Sequence, residues 1–582
     1  MKIMVWLLSP LIGLISACSV NQHTSDAGQN INREARFEWF DYEGRDDIFK
    51  KPLSADEYQN PILAGYHPDP SVVRVGKDYY LVNSTFGFFP GIPIFHSTDL
   101  VNWVQIGNAV NDPQAFNYDG LHLGYQGVYA PAIEYKDGVF YIINTCIGCG
   151  GNFVVTAKNP AGPWSDPIWM PHLVGIDPSI FFDNDGKTYV VHHRDPDLDK
   201  KRYPAHTALW IMEVDLVTFE PRSDDIMLID GGDETPWNTD YHEGPHLYFV
   251  DGSYYLSAPG GGTGYFHQQL IYRSSHIYGP YEANPNNPIL TQWGLPDDRE
   301  HPVTATGHAD MFEDTHGDWW AVFLGTRVYD LTAAPQDPGN FHTGRETFML
   351  PVTWKDGWPT ILEKDTALPY RVKRPQLPRA KTVERATTGN FTIREDFTES
   401  KLGPHWLFIR TPHTQWWRSG GGALHIQPRA EGIGQYQQPS FVGRRLAHLS
   451  ASFSTKLVFS PQAVGDEAGL LAIQNDEHFY TLGLGHDESG DTVVRVRRRA
   501  GADTPVAGVI LKEQKITLPL GDPVYFQMNV NKGVLDLLYS TTGKDYKRLL
   551  ENADASVLST AMAGGFTGAV VGMYALGGGE PH

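Results

Sequence analysis

Three carboxylates and one imidazole recur at one position of a repeated pattern in this chain. Asp69, Asp177, Glu243 and His308 each stand seven to nine residues before a turn glycine, in Asp69-Pro-Ser, Asp177-Pro-Ser, Glu243-Gly-Pro and His308-Ala-Asp. A fifth segment of the same kind, Ala130-Pro-Ala, carries no ionisable group. Taken singly, an Asp-Pro-Ser is a turn or a cap. Four ionisable groups at equivalent points are not explained by turn-making alone. Carboxylates brought together repel one another and raise at least one pKa. One ionised and one protonated carboxyl, held side by side, is what acid–base cleavage of a glycosidic bond requires.

The elements that must position these groups are hairpins. VGKDYYLVNS, KDGVFYIINT, NDGKTYVVHH, VDGSYYLSAP and THGDWWAVFL share a glycine turn followed by an aromatic-rich strand, with glycines at Gly76, Gly138, Gly186, Gly252 and Gly317. Asp-Gly and related pairs between β-rich runs mark hairpins. The spacing leaves room for two more strands per repeat, as a four-stranded propeller blade needs. Five repeats predict an all-β fold opening with a five-bladed β-propeller over residues 51–365. In a propeller the inner strands run side by side around the axis, so the residues at their starts converge. TGRETFMLPVTWKDGWPTI supplies a last hairpin that closes the ring. Pro369, Pro375 and Pro378 punctuate a basic stretch that reads as a linker over 366–389, and alternating strands from 390 to 582 predict a β-sandwich.

Bulk properties narrow the partners. A formal net charge of −22 disfavours nucleic acid and anionic membranes. Hydrophobic residues at 41% and charged residues at 20% describe a globular chain, and 582 residues exceed one ordinary core. Lys2, an apolar run from about Ile3 to Ala17, and Cys18 have the proportions of a secretory signal. The run falls short of the roughly 20 residues of a comfortable membrane span. Small residues just before Cys18 resemble a bacterial lipobox, so residues 1–18 read as a lipoprotein signal with Cys18 as lipidation site. Residues 19–50 then read as a tether and N-terminal extension. The expected location is the periplasm or outer membrane, with a lipid on Cys18 as the sole membrane contact. Cys146 and Cys149 form a C-x-x-C without the second pair that zinc needs, and read as a structural disulfide or two unreactive thiols.

The phrases NPILAGYHPDPS, GIDPSIFFDNDGKTYVVHH, HEGPHLYFVDGSYYL, TGHADMFEDTHGDWWAVFLGTR and GRETFMLPVTW resemble glycoside hydrolase family 43, the five-bladed β-xylosidases and α-L-arabinofuranosidases. The resemblance runs from about Asn60 to Leu362, and the second domain is similar to the sandwich often attached to the β-xylosidases. It implies inversion in one displacement, with Asp69 as general base and Glu243 as general acid. Asp177 is implied to orient the acid and, by its negative charge, to keep it protonated. Arg345 of TGRET is implied to donate to sugar hydroxyls, where a planar fork suits a vicinal diol. Phe86 of STFGFFPG is implied to line a single-sugar pocket. Tyr129 of GVYAP stands where the xylosidases usually have tryptophan. His308 resembles an axial histidine found beside a calcium ion or a water cluster, and a water-mediated contact suits hard calcium better than direct ligation. No cofactor is required. Gly260 to Gly264 form a glycine run that lacks the helix and Lys-Ser/Thr pair of a phosphate cradle, and reads as a loop allowing close approach to substrate.

The leading expectation is an exo-acting β-D-xylosidase trimming xylo-oligosaccharides, with an α-L-arabinofuranosidase as runner-up. A non-catalytic sugar-binding surface lipoprotein predicts that one of the three carboxylates is missing, and none is. A fructan-cleaving five-bladed enzyme carries an Asn-Asp-Pro-Asn-type motif, whereas Asp69 sits in His-Pro-Asp-Pro-Ser.

Overall fold

A computed structural model describes residues 34–232, 235–331, 339–381 and 385–578. The proposed signal, Cys18 and the tether from Asn21 to Arg33 lie outside the described residues. No helix among the described residues is long and apolar enough to cross a membrane.

Five antiparallel sheets follow one another along the first two thirds of the chain. Their inner strands are Ser71–Val75, Ala132–Lys136, Ile176–Phe182, His246–Val250 and Val303–Glu313, and each pairs with the next strand in sequence and so outward through the blade. The inner strands lie against one another around the ring, and Val303–Glu313 returns to meet Ser71–Val75. The hairpins form as the Asp-Gly pairs dictate. Asp137 and Gly138, Asp251 and Gly252, and Asp356 and Gly357 all have positive φ, which a two-residue turn of the I′ type demands. The strands they join are β-branched and aromatic, and their inward faces are buried.

The ring is closed by the chain leading into it. Ile62 N donates to Thr347 O, and Asn60 Nδ2 donates to Met349 O, so the approach to the first blade is fixed to the last blade. The 366–389 stretch is tied down as well. Arg371–Lys373 pairs with Glu57–Gln59, and Arg374 forms an ion pair with the buried Asp99.

The second domain stacks two antiparallel sheets. One runs Phe441–Arg445, Val570–Leu576, Glu467–Asn475, His478–His486, Thr492–Ala500, Val509–Lys515. The other holds a strand that the sequence reading placed in an N-terminal extension. Ala35–Gly44 pairs with Ser450–Val458 on one side and with Ala423–Ile426 and Thr392–Glu395 on the other. Its alternating ARFEWFDYEG buries Phe37, Phe40 and Tyr42 in the sandwich core. Residues 35–44 are therefore an interior strand of the C-terminal domain, not tether. Alternation was visible there, but its partners lie some 400 residues away in sequence.

The two domains share a seam beside the axis. Phe408 and Ile409 pair with Phe89 and Phe88 of the first blade. Arg410, fully buried, forms an ion pair with Asp476 and donates to Leu121 O. Asp476 in turn accepts from Leu123 N, and Arg410 N donates to Gly87 O, so this pair within the sandwich is bonded to the propeller loops on either side of Phe86. Cys146 and Cys149 are disulfide-bonded, closing the hairpin next to the strand Gly127–Val128.

Candidate active site

Asp69, Asp177 and His308 share more than a position in a repeat. All three have positive φ (50°, 51° and 52°), as does Gly244 at 49°. Such a conformation is uncommon outside glycine and clusters at functional sites. Strand pairing is also irregular there, between Ile176 and Ser179 and between Gly307 and Asp310. A bulge at the start of an inner strand re-aims one side chain toward the axis. The equivalent set is thus Asp69, Ala130, Asp177, Gly244 and His308, each followed by Pro or Ala. Glu243 is one residue out of the register the sequence reading gave it, and the aligned prolines were the signal. Glycine is needed at 244 for a second reason. A Cβ there would lie 2.6 Å from Nε2 of His308.

The site residues line one cavity of about 670 Å³. Asp69, Asp177, Glu243, Arg345, Phe86, Tyr129 and His308 all face it. Asp69 accepts from both Arg345 guanidinium nitrogens, at 2.7 and 3.3 Å, and from Ser84 Oγ at 2.6 Å. Arg345 also reaches Thr263 Oγ1 and the Phe566 carbonyl. The arginine fork expected to meet the sugar is therefore engaged with Asp69 and the pocket wall.

Asp177, Glu243 and His193 bring a ligand atom each within 4.8 Å of one another. Burial pushes the Glu243 carboxyl up to about 7, with the negative charge of Asp69 adding to the effect and Arg345 opposing it. Asp177 is also pushed well above the usual carboxylate range, by burial first and then by Glu243 and Asp69. Repulsion between Asp177 and Glu243 works against ionising both at once. Carboxyls this close titrate as a pair. His193, lowered to about 3 by burial, faces Asp177 as a neutral ring, with Nδ1 4.0 Å from Oδ2.

The donors around His308 do not fit a directly bound calcium. Burial lowers its ring to about 4, and Nδ1 lies 3.8 Å from an Asp69 oxygen already held by Arg345. Asp310, one step deeper, accepts from Ser71 Oγ and Tyr248 OH. Calcium takes six to eight oxygens. The carboxylates near this ring are committed to protein donors.

The walls are aromatic. Phe86 lies 4.9 Å from Tyr129, whose hydroxyl is tied to Tyr125 O at 2.5 Å. Phe566, from the sandwich, stacks on Phe86 at 5.6 Å and sits the same distance from the Arg345 guanidinium. The second domain therefore completes the pocket, through a residue nothing in its own local sequence singles out. Gly261, Gly262 and Gly264 line the same cavity, as a close-approach loop requires. A Cβ on Gly261 would fall 2.1 Å from Phe266 O.

Comparison with known proteins agrees with this geometry. Residues 58–359 match Glycosyl hydrolases family 43, and residues 394–582 match the Beta xylosidase C-terminal Concanavalin A-like domain. A non-reducing end α-L-arabinofuranosidase of Bacteroides ovatus is 37% identical over 91% of this chain and 93% of its own length. A xylosidase/arabinosidase of Butyrivibrio fibrisolvens is 34% identical over 90% of this chain and 96% of its own. The crystal structure of a GH43_12 protein from a capybara gut metagenome superposes with a TM-score of 0.85, at 37% identity, covering 94% of this chain and all of that one. With its ring of carboxyls, its five blades and its appended sandwich, the chain belongs to glycosyl hydrolase family 43 and is a glycoside hydrolase.

Proposed function

We propose that the protein releases single pentoses from the non-reducing ends of oligosaccharides with inversion, Asp69 acting as base and Glu243 as acid. The observation that carries this reading is the contrast between the two carboxyls. Asp69 is ion-paired with Arg345, whereas burial holds Glu243 up at about 7. Asp69 takes a proton from water as the water oxygen bonds to the anomeric carbon. Glu243 gives its proton to the departing glycosidic oxygen as that bond breaks. Asp177 shares the buried acid's environment and holds its orientation. Ser84 and Arg345 fix the base, and Phe86, Tyr129 and Phe566 supply apolar faces for one sugar ring.

One pocket serves β-D-xylosides and α-L-arabinofuranosides alike, since the two pentoses present similar hydroxyls. Tyr129 in place of tryptophan and the arabinofuranosidase relative favour arabinose. The β-xylosidase type of the C-terminal domain favours xylose. Hydrolysis of aryl β-D-xyloside and aryl α-L-arabinofuranoside, each with the other as inhibitor, tests this. The expected result is turnover of both with mutual competitive inhibition. Turnover of neither would overturn the reading.

For localisation, the apolar N-terminal run and Cys18 support an exported lipoprotein anchored by its lipid. Metabolic labelling with a fatty acid, lost in Cys18→Ser, is the expected outcome.

A further inference from the structure

Three guanidiniums converge on a second cavity, of about 290 Å³, between the propeller and the sandwich. Arg385, Arg444 and Arg445 line it beside His67 and His405, and no acidic side chain does so among the described residues. None of these residues lines the catalytic cavity. The gathering runs against the chain's formal net charge of −22. Arg385 holds Glu395 at 2.7 Å, which commits the one carboxylate near Arg444. Arg444 and Arg445 form no ion pair among the described residues. Nε and Nη1 of Arg444 and Nη2 of Arg445 are buried without a hydrogen-bond partner, and Arg445 is only 6% exposed. Burial lowers both guanidiniums to about 10, with Arg385 adding to the effect on Arg444 and Arg444 to that on Arg445. Both stay charged at neutral pH. The His405 ring is held neutral by burial and then by all three arginines, and Arg385 Nη1 lies 3.3 Å from its Nε2.

An arginine does not shed its proton, and a buried one left unpaired works against the fold. An anion in the same cavity reverses that cost, and phosphate-type oxygens match guanidinium donors well. We propose that this cavity binds one free oxyanion of the phosphate or sulfate kind, held by Arg385, Arg444 and Arg445. Its volume is less than half that of the catalytic cavity, which suits a small ion rather than a sugar chain. Phe95, Trp103 and Phe391 line the remainder, and charge pairing is stronger beside such apolar walls than in water. The site also touches the segment that leads to the catalytic base. Arg445 Nε donates to Tyr66 O, and His67 N donates to Arg345 O. A bound ion therefore joins linker and sandwich to the entry of the first blade.

The test is calorimetric titration of the whole protein with phosphate, and separately with sulfate, at fixed ionic strength, for wild type, Arg444→Met and Arg444→Lys. Wild type takes up one ion per chain. Arg444→Met keeps an unbranched side chain over the Tyr42 ring and removes the charge. It weakens binding about 10- to 100-fold, the worth of one hydrogen bond to a charged group, and Arg444→Lys restores part of the loss. Should Arg444→Met not fold, Arg385→Gln at the exposed side of the cavity carries the same expectation. No uptake of either ion by wild type, uptake unchanged in the variants, or an equal response to chloride would overturn the site. Binding of methyl phosphate without binding of phosphate would assign the cavity to an ester and overturn the free ion.

Discussion

Glu243→Gln keeps the shape of the side chain and removes its ionisation. In the folded protein burial and Asp69 raise this carboxyl from 4.5 to about 7. The raised value means that the protonated form is favoured by the fold. The stabilising contribution is therefore complete below pH 4.5 and is lost as pH climbs through about 7. One pKa unit is worth about 1.4 kcal/mol, so the Glu243 carboxyl forfeits about 3 kcal/mol across that window, a loss the glutamine variant does not share. Denaturant unfolding at intervals from pH 4.5 to 8.5 measures the difference directly. The variant becomes relatively more stable with rising pH, and the difference levels off above pH 8. The kinetic counterpart is the alkaline limb of kcat/KM, which falls near pH 7 in wild type. On an aryl glycoside with a good leaving group that limb disappears in Glu243→Gln. A stability difference that stays flat with pH, together with an unchanged limb, would refute the assignment of the raised carboxyl to Glu243.

Other perturbations probe other parts of the site. Phe566→Ala removes the ring stacked on Phe86 and the face beside Arg345; KM on aryl glycosides rises about 10-fold with a smaller change in kcat, read from initial rates. Gly244→Ala places a Cβ against His308 at positive φ, and its expected cost is about 1–3 kcal/mol in denaturant unfolding with loss of nearly all activity as Glu243 is displaced. Zinc, which accepts imidazole and carboxylate ligands, competes with the proton of the Asp177, His193 and Glu243 group. Inhibition by micromolar zinc that weakens toward acid pH, measured in rate assays with a chelator control, is the expected result.

Much of the propeller was legible because its physics is local. Asp-Gly turns, β-branched runs and a repeat period state each hairpin within about twenty residues, and Asp69 and Asp177 follow from their places in the repeat. Glu243 lies one step from the place its repeat implies, because Gly244 takes the positive-φ position there. What was illegible is what acts across long sequence distances. Ala35–Gly44 alternates like any strand, yet nothing within it names Ser450–Val458 as its partner. Phe566 enters the pocket because the sandwich docks on the propeller, through bonds such as Phe566 N to Gly124 O and Arg410 to Leu121 O, and a phenylalanine before Thr567 carries no mark of that. The direction of the Arg345 fork was beyond sequence for a related reason. It follows the Asp69 carboxylate, 2.7 Å away in space but 276 residues away in sequence.

The central claim is a single displacement in which Asp69 activates water and Glu243 protonates the leaving oxygen. Proton NMR of the first sugar released from an aryl β-D-xyloside, recorded before mutarotation, tests it most directly. The account predicts that α-D-xylose appears first and the β anomer only later. Initial release of β-D-xylose would mean retention through a covalent intermediate, and would contradict the account.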